Sequence, residues 1–122
     1  MGEPAQRHHS INYVEFFTTD IGKTKTFYTT AFGWSFQDWG PDYISFDKAS
    51  AGLDGGFRTK EGKGESGSAA PLVVLYSKDL EATEKAVVAA GGTIVVPIFE
   101  FPGGRRFHFS DGGGNVLAAW SE

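Results

Sequence analysis

At 122 residues the chain suits a single domain with a core of useful size, and its 40% hydrophobic and 21% charged content is that of a globular protein. The net charge of -4 argues against nucleic acid or an anionic membrane surface as a partner, since either asks for a basic patch. Without cysteine there is no disulfide, thiolate nucleophile or thiolate metal ligand. No apolar run approaches the roughly 20 residues that span a bilayer, and the opening MGEPAQRHHS has no apolar signal segment, so a cytoplasmic location is the expectation.

Residues 1–9 are polar and read as a frayed tail ahead of one domain over 10–122. Residues 11–17, β-branched and aromatic, predict a strand. A helix follows from Asp20, whose side chain suits capping of free amide groups. Ile21, Phe27, Tyr28, Ala31 and Phe32 fall on one helical face, and Gly33 stops the helix. Residues 34–39 and 43–47 predict two strands around a Gly40-Pro41-Asp42 turn. A third strand covers 51–58, where Gly55 and Gly56 mark a bulge or a close backbone approach. Residues 60–70 are Gly, Ser and charge, and read as a mobile link. The order then repeats. A strand over 72–76 leads to a helix over 79–90 with Leu80, Val87 and Ala90 on one face and Gly91-Gly92 at its end. Strands over 93–96, 105–110 and 116–120 complete the chain, the last two joined by the Asp111-Gly112-Gly113-Gly114-Asn115 turn.

An offset of 59 residues carries Asp20-Ile21 onto Asp79-Leu80, Thr24 onto Thr83, Ala31 onto Ala90 and Gly33 onto Gly92. Such a repeat constrains the fold more than any single motif. Each half, about 10–59 and 71–121, is a strand, a helix and three strands, so the class is α+β. A helix covers one face of each sheet, and the other face must meet a second sheet or enclose a cavity. Two sheets curling toward each other make an incomplete barrel around a cup, the usual form of a small-molecule site. Eleven Phe, four Tyr and three Trp line that cup or, for the greater part, form an ordinary Phe-rich core.

The ordered set Asn12-Tyr13-Val14-Glu15-Phe16, Asp20, Phe27-Tyr28, Phe32-Gly33-Trp34, Asp79-Leu80, Ala90-Gly91-Gly92 and Phe109-Ser110-Asp111 through Gly114-Asn115 resembles the vicinal oxygen chelate superfamily. That superfamily includes glyoxalase I, extradiol dioxygenases, fosfomycin-resistance proteins and bleomycin-binding proteins. The resemblance implies two βαβββ modules forming curved sheets around a shared cup, built within a chain or between two chains, and hence a homodimer. Metal-dependent members use His, Glu, His and Glu ligands. Counting from the helix-opening Asp residues and the Asp111 turn places Tyr13, Leu72 and Ala118 at three of those positions, with the fourth near Gly56 or Phe57. A divalent ion needs two or three converging N, O or S donors, and a phenol with a pKa near ~10 is a poor ligand at neutral pH. The expectation is therefore no metal and no cofactor.

Tyr13, Glu15 and Phe17 alternate onto one strand face, and with Leu72, Val74, Ala118 and Phe57 they form the expected ligand-binding set. Glu15 is the best catalytic candidate, as a base. It could equally accept a ligand's hydrogen bond or pair internally with Arg58, Arg105 or Arg106. Tyr13 orients a ligand oxygen or fills the volume of a lost ion. Arg105 and Arg106 follow a Pro102-Gly103-Gly104 turn, and either clamp an anion or divide into one solvent-facing residue and one structural partner. His8 and His9 lie in the tail, and His108 sits alone among phenylalanines, so a His-only metal site is disfavoured. The glycine clusters precede strands rather than helices and read as turns, not phosphate loops. No serine has a recognisable base partner. Three functions remain: a metal-free protein binding a small, flat or partly apolar molecule; a glyoxalase-like lyase or isomerase with unusual metal ligands or Glu15 as base; and a scaffold whose cup is filled by its own side chains.

Overall fold

Each half of the chain is organised around one Asp-capped helix. The computed structural model describes residues 8–9, 11–59 and 71–122, so the readings for 60–70 and most of the tail lie outside the described residues. In chain order the elements are β1 (Val14–Phe17), α1 (Ile21–Phe32), β2 (Phe36–Asp38), β3 (Tyr43–Phe46), α2 (Lys48–Ala51), β4 (Gly55–Arg58), β5 (Val74–Tyr76), α3 (Leu80–Ala89), β6 (Thr93–Phe101), β7 (Gly104–Ser110) and β8 (Val116–Ser121). Asp20 accepts the Lys23 N–H at 3.0 Å, and Asp79 accepts the Ala82 N–H at 3.1 Å. The repeat reaches further than the caps. The Thr18 hydroxyl pairs with that of Thr24 and accepts the Asp20 N–H, and Ser77 does the same with Thr83 and Asp79.

The two four-stranded sheets have one topology, β1-β4-β3-β2 and β5-β8-β7-β6. In each, the first strand runs parallel to the last and the other pairs are antiparallel. The sheets are curved and do not close.

Several boundaries differ from the sequence reading. Where a strand was expected from residue 51, the single turn α2 intervenes, capped by Asp47 on the Ser50 N–H at 3.1 Å. β6 continues to Phe101 through Pro97, because register shifts between Ile94/Val96 and Val96/Phe99 keep Pro97 out of the ladder. β1 and β5 begin later than expected, at Val14 and Val74.

The helices pack against each other and against one face of each sheet. Ile44, Phe46 and Phe57 of the first sheet and Phe107, Phe109, Leu117 and Ala119 of the second belong to one core cluster with Phe27, Tyr28, Leu80 and Val87, and the partly buried Phe16 packs against it. Each fully buried side chain of this size contributes about 1.5–3 kcal/mol. Phe27 and Phe32 reach Phe109 across the halves, with ring centroids 6.1 and 5.8 Å apart. Gly92 permits that approach, since a Cβ there would stand 2.7 Å from Val87 Cγ1 and 2.9 Å from Phe27 Cε1. Polar groups join the halves too. Tyr28 donates to Asp111 Oδ2 at 2.9 Å, Asn115 Nδ2 donates to the Phe17 carbonyl at 2.7 Å, and the Thr19 N–H donates to the Gly113 carbonyl at 3.0 Å. Among the described residues no helix is long and apolar enough to cross a membrane.

Candidate functional site

The sheet faces turned away from the helices carry the site. In the first sheet, Glu15 pairs with Gly56, Gly56 with Ser45, and Ser45 with Gln37, which places all four on one face. Tyr43 and Arg58, paired with each other and two residues along, share it. Here Arg58 Nε donates to Glu15 Oε2 at 2.8 Å, and the Tyr43 hydroxyl donates to Glu15 Oε1 at 3.0 Å. The Tyr13 hydroxyl lies 2.6 Å from that of Tyr43. Burial, followed by the hydrogen bonds to Tyr13 and Glu15, pushes the Tyr43 pKa well above the ordinary phenol value, so its hydroxyl keeps its proton. Gly56 makes room: a Cβ there would lie 2.4 Å from the Tyr43 hydroxyl oxygen. Trp39, 58% exposed, is held by a 2.9 Å hydrogen bond from its Nε1 to Ser45 Oγ. Tyr13, Trp39, Tyr43 and Ser45, with Phe46, Asp47 and Asp54, line a cleft of about 440 Å³.

The second sheet offers a different surface. Val74 pairs with Ala118, and Ala118 with His108. Tyr76, Trp120, Arg106 and Phe99 form the next row. The Arg106 guanidinium lies 5.4 Å from the Phe99 ring centroid and 5.5 Å from that of Phe101. Arg106 Nε and His108 Nε2 are buried without a hydrogen-bond partner. Desolvation, and then the Arg106 charge, lowers the His108 pKa, which favours a neutral imidazole.

The expected set is only partly brought together. Tyr13 and Glu15 meet through Tyr43, and Phe17 belongs to the same strand. Val74 instead lines a cleft of about 510 Å³ with Val14 and Phe16, which lie on the opposite face of β1 from Glu15. The two clefts share only Phe46. Ala118 is fully buried, and Leu72 is 39% exposed.

Phe57 is a correction. Its ring is 0% exposed and packs at 5.0 Å from both Phe16 and Tyr28, because its register with Phe16 and Ile44 turns it to the helix side. Gly56, not Phe57, therefore shares the face of Glu15. The arginine alternatives also resolve. Glu15 is paired internally with Arg58, on the neighbouring strand of its own sheet rather than across to the other. Arg105 forms a bidentate pair with Glu81 at 2.6 and 3.1 Å, and Arg106 lies over two rings, so they do not act as a matched clamp. Trp39, Tyr43, Asp47 and Asp54 were missed. Alternation along Tyr43, Ser45 and Asp47 would have placed three residues of the cleft on one face.

Of the positions at which the resemblance implies metal ligands, namely Tyr13, Leu72, Ala118 and Gly56 or Phe57, only Tyr13 carries a donor side chain, and this set does not fit a divalent ion. Among the described residues no group of three His, Cys, Asp or Glu side chains could hold a metal.

Residues 10–119 match the family profile of the Glyoxalase/Bleomycin resistance protein/Dioxygenase superfamily. The chain belongs to that superfamily. Its fold is shared with a glyoxalase-related enzyme from Fulvimarina pelagi, at a TM-score of 0.78 and 18% identity over 93% of this chain and 88% of that one. A glyoxalase/bleomycin resistance protein/dioxygenase family enzyme from Burkholderia phytofirmans PsJN matches at 0.74 and 22% identity, covering 90% and 96%. A lactoylglutathione lyase from Agrobacterium tumefaciens matches at 0.70 and 13% identity, covering 94% and 95%. No curated protein matches the chain. Within a superfamily of such varied members, likeness at these identities shows the fold alone.

Proposed function

We propose that the chain is a small-molecule-binding member of the glyoxalase/bleomycin-resistance superfamily that works without a metal, and that it does so as a homodimer. The observation that carries this reading is the donor set: at the positions where the resemblance implies metal ligands stand a phenol already engaged with Tyr43, a leucine, an alanine and either Gly56 or Phe57. Glu15 is poorly placed as a base, because both of its oxygens already accept hydrogen bonds from Arg58 and Tyr43. Proton abstraction beside a carbonyl also needs an electrophile for the enolate oxygen, and among the described residues no cluster of metal-ligating side chains offers a place for one. Pairing of two copies is supported by the exposure of Leu72, Val74, Tyr76 and Val116, and by the position of β1 and β5 at sheet edges, where backbone groups lack strand partners on one side.

Elemental analysis, light scattering and a thermal-shift screen of the purified full chain test the proposal. The expected results are sub-stoichiometric metal, a particle of twice 13.2 kDa, and a compound that raises the unfolding temperature. A ligand at a hundred times its Kd stabilises by about 2.7 kcal/mol, a readily measured shift. Stoichiometric zinc, nickel, manganese or iron whose removal destabilises the protein would overturn the metal-free reading.

A further inference from the structure

The cleft beside Tyr13 has a chemistry that a generic small-molecule site does not require. Among the described residues that line it, Asp47 and Asp54 are the charged ones, and none is a lysine, arginine or histidine. Three aromatic residues, Tyr13, Trp39 and Tyr43, line the same space.

The hydrogen atoms of these rings are already committed. Tyr43 donates to Glu15, so in the Tyr13–Tyr43 contact the donor is Tyr13, and Trp39 donates to Ser45. The rings therefore offer a ligand their π faces, whose negative potential attracts cations. The carboxylates are held in place as well. Asp47 Oδ1 accepts from the Ser50 N–H and hydroxyl, both at 3.1 Å, and Asp54 Oδ1 accepts from the Lys48 N–H at 2.8 Å. Both residues are thus tied through Oδ1 to the single turn α2. The nearby Arg58 guanidinium is directed to Glu15, which offsets that carboxylate rather than the two aspartates.

We infer that this cleft binds a small organic cation, a quaternary ammonium or a protonated amine, through the faces of Trp39, Tyr13 and Tyr43 and the carboxylates of Asp47 and Asp54. The inference rests on the binding function proposed above and adds the ligand's class. An anion would meet two like charges and no free cation in the lining. A neutral molecule would gain apolar contact but leave the charge unused. The chain's net charge of -4 further favours the approach of cations.

Calorimetric titration of the full chain with benzyltrimethylammonium, benzyl alcohol and benzoate tests the class. The ammonium is expected to bind about tenfold or more tightly than the alcohol, and benzoate no better than the alcohol. Added salt should weaken the ammonium and not the alcohol. Trp39→Ala should reduce ammonium affinity by about tenfold. The pair Asp47→Asn/Asp54→Asn keeps the acceptor oxygens that hold α2 while removing the charge. It should erase the preference for the ammonium over the alcohol, with the unfolding midpoint confirming an intact fold. Equal binding of all three probes, tighter binding of benzoate, or an unchanged preference in the double Asn variant would overturn the cation assignment and leave the binding function standing. Failure of all three probes would also overturn the assignment, and the binding function would fall with it only if the broad thermal-shift screen were blank.

Discussion

Replacing Tyr28 by Phe removes one oxygen from a fully buried side chain and leaves the ring packing unchanged. That oxygen donates at 2.9 Å to Asp111, which is 5% exposed and belongs to the other half of the chain. Asp111 also accepts the Gly113 N–H at 2.7 Å, the Asn115 N–H at 3.1 Å and Asn115 Nδ2 at 3.1 Å. A hydrogen bond to a charged acceptor is worth about 1.5–3 kcal/mol. The three remaining donors soften the loss, so Tyr28→Phe is expected to destabilise by about 1.5–2 kcal/mol, or about 6–8 °C in Tm for a chain of this length. Urea unfolding should show a lower midpoint at unchanged slope. Hydrogen exchange at Gly113 and Asn115 should quicken, because the turn loses its tie to α1. A double-mutant cycle with Asp111→Asn isolates the pair. A loss below about 0.5 kcal/mol would refute the reasoning, since it falls short of what a buried bond to a charged group contributes. It would mean that the turn satisfies Asp111 unaided.

Gly56→Ala should destabilise by about 1–3 kcal/mol, because its Cβ would meet the Tyr43 hydroxyl at 2.4 Å and the Ile44 carbonyl at 2.7 Å; wild-type stability in urea would show that Tyr43 swings clear at no cost. Phe57→Ala should lose about 3–5 kcal/mol as a core truncation. Phe57→Leu should leave ligand affinity unchanged, and a selective loss of binding there would return Phe57 to the site. The lowered pKa of His108 means that the folded state holds fewer protons than the unfolded state just below the ordinary value of 6.5. Stability should therefore fall as pH drops through that value, and His108→Gln should flatten this part of the profile; urea midpoints between about pH 7.5 and pH 5 check it.

The fold was legible because its punctuation is chemical. Asp20 and Asp79 can cap helices, Gly33 and Gly91 take left-handed backbone at φ 75° and 99°, and the two halves repeat these devices in order. α2 was missed because a four-residue helix has too few positions to show a period, although Asp47 is a residue type favoured at helix N-caps. The extension of β6 was hidden by Pro97, which reads as a strand terminator unless a bulge takes it out of register. The site was less legible. Alternation grouped Tyr13 with Glu15, but whether Gly56 or Phe57 faced them depended on a pairing register that spacing alone leaves open by one residue. Trp39 and Asp54 come from different loops, and only the folded sheet brings them to one cleft.

The turn between β7 and β8 also governs when the molecule can be complete. Phe17, Thr19 and Tyr28 belong to the first half, yet the groups that satisfy them, Asn115, Gly113 and Asp111, lie 83 to 98 residues further along the chain. A nascent first half emerging from the ribosome would carry an orphaned carbonyl, amide and phenol, along with the Phe27 and Phe32 surface that Phe109 covers. The native state is therefore reached only once the second half is present, as one cooperative event rather than as two halves folding in turn.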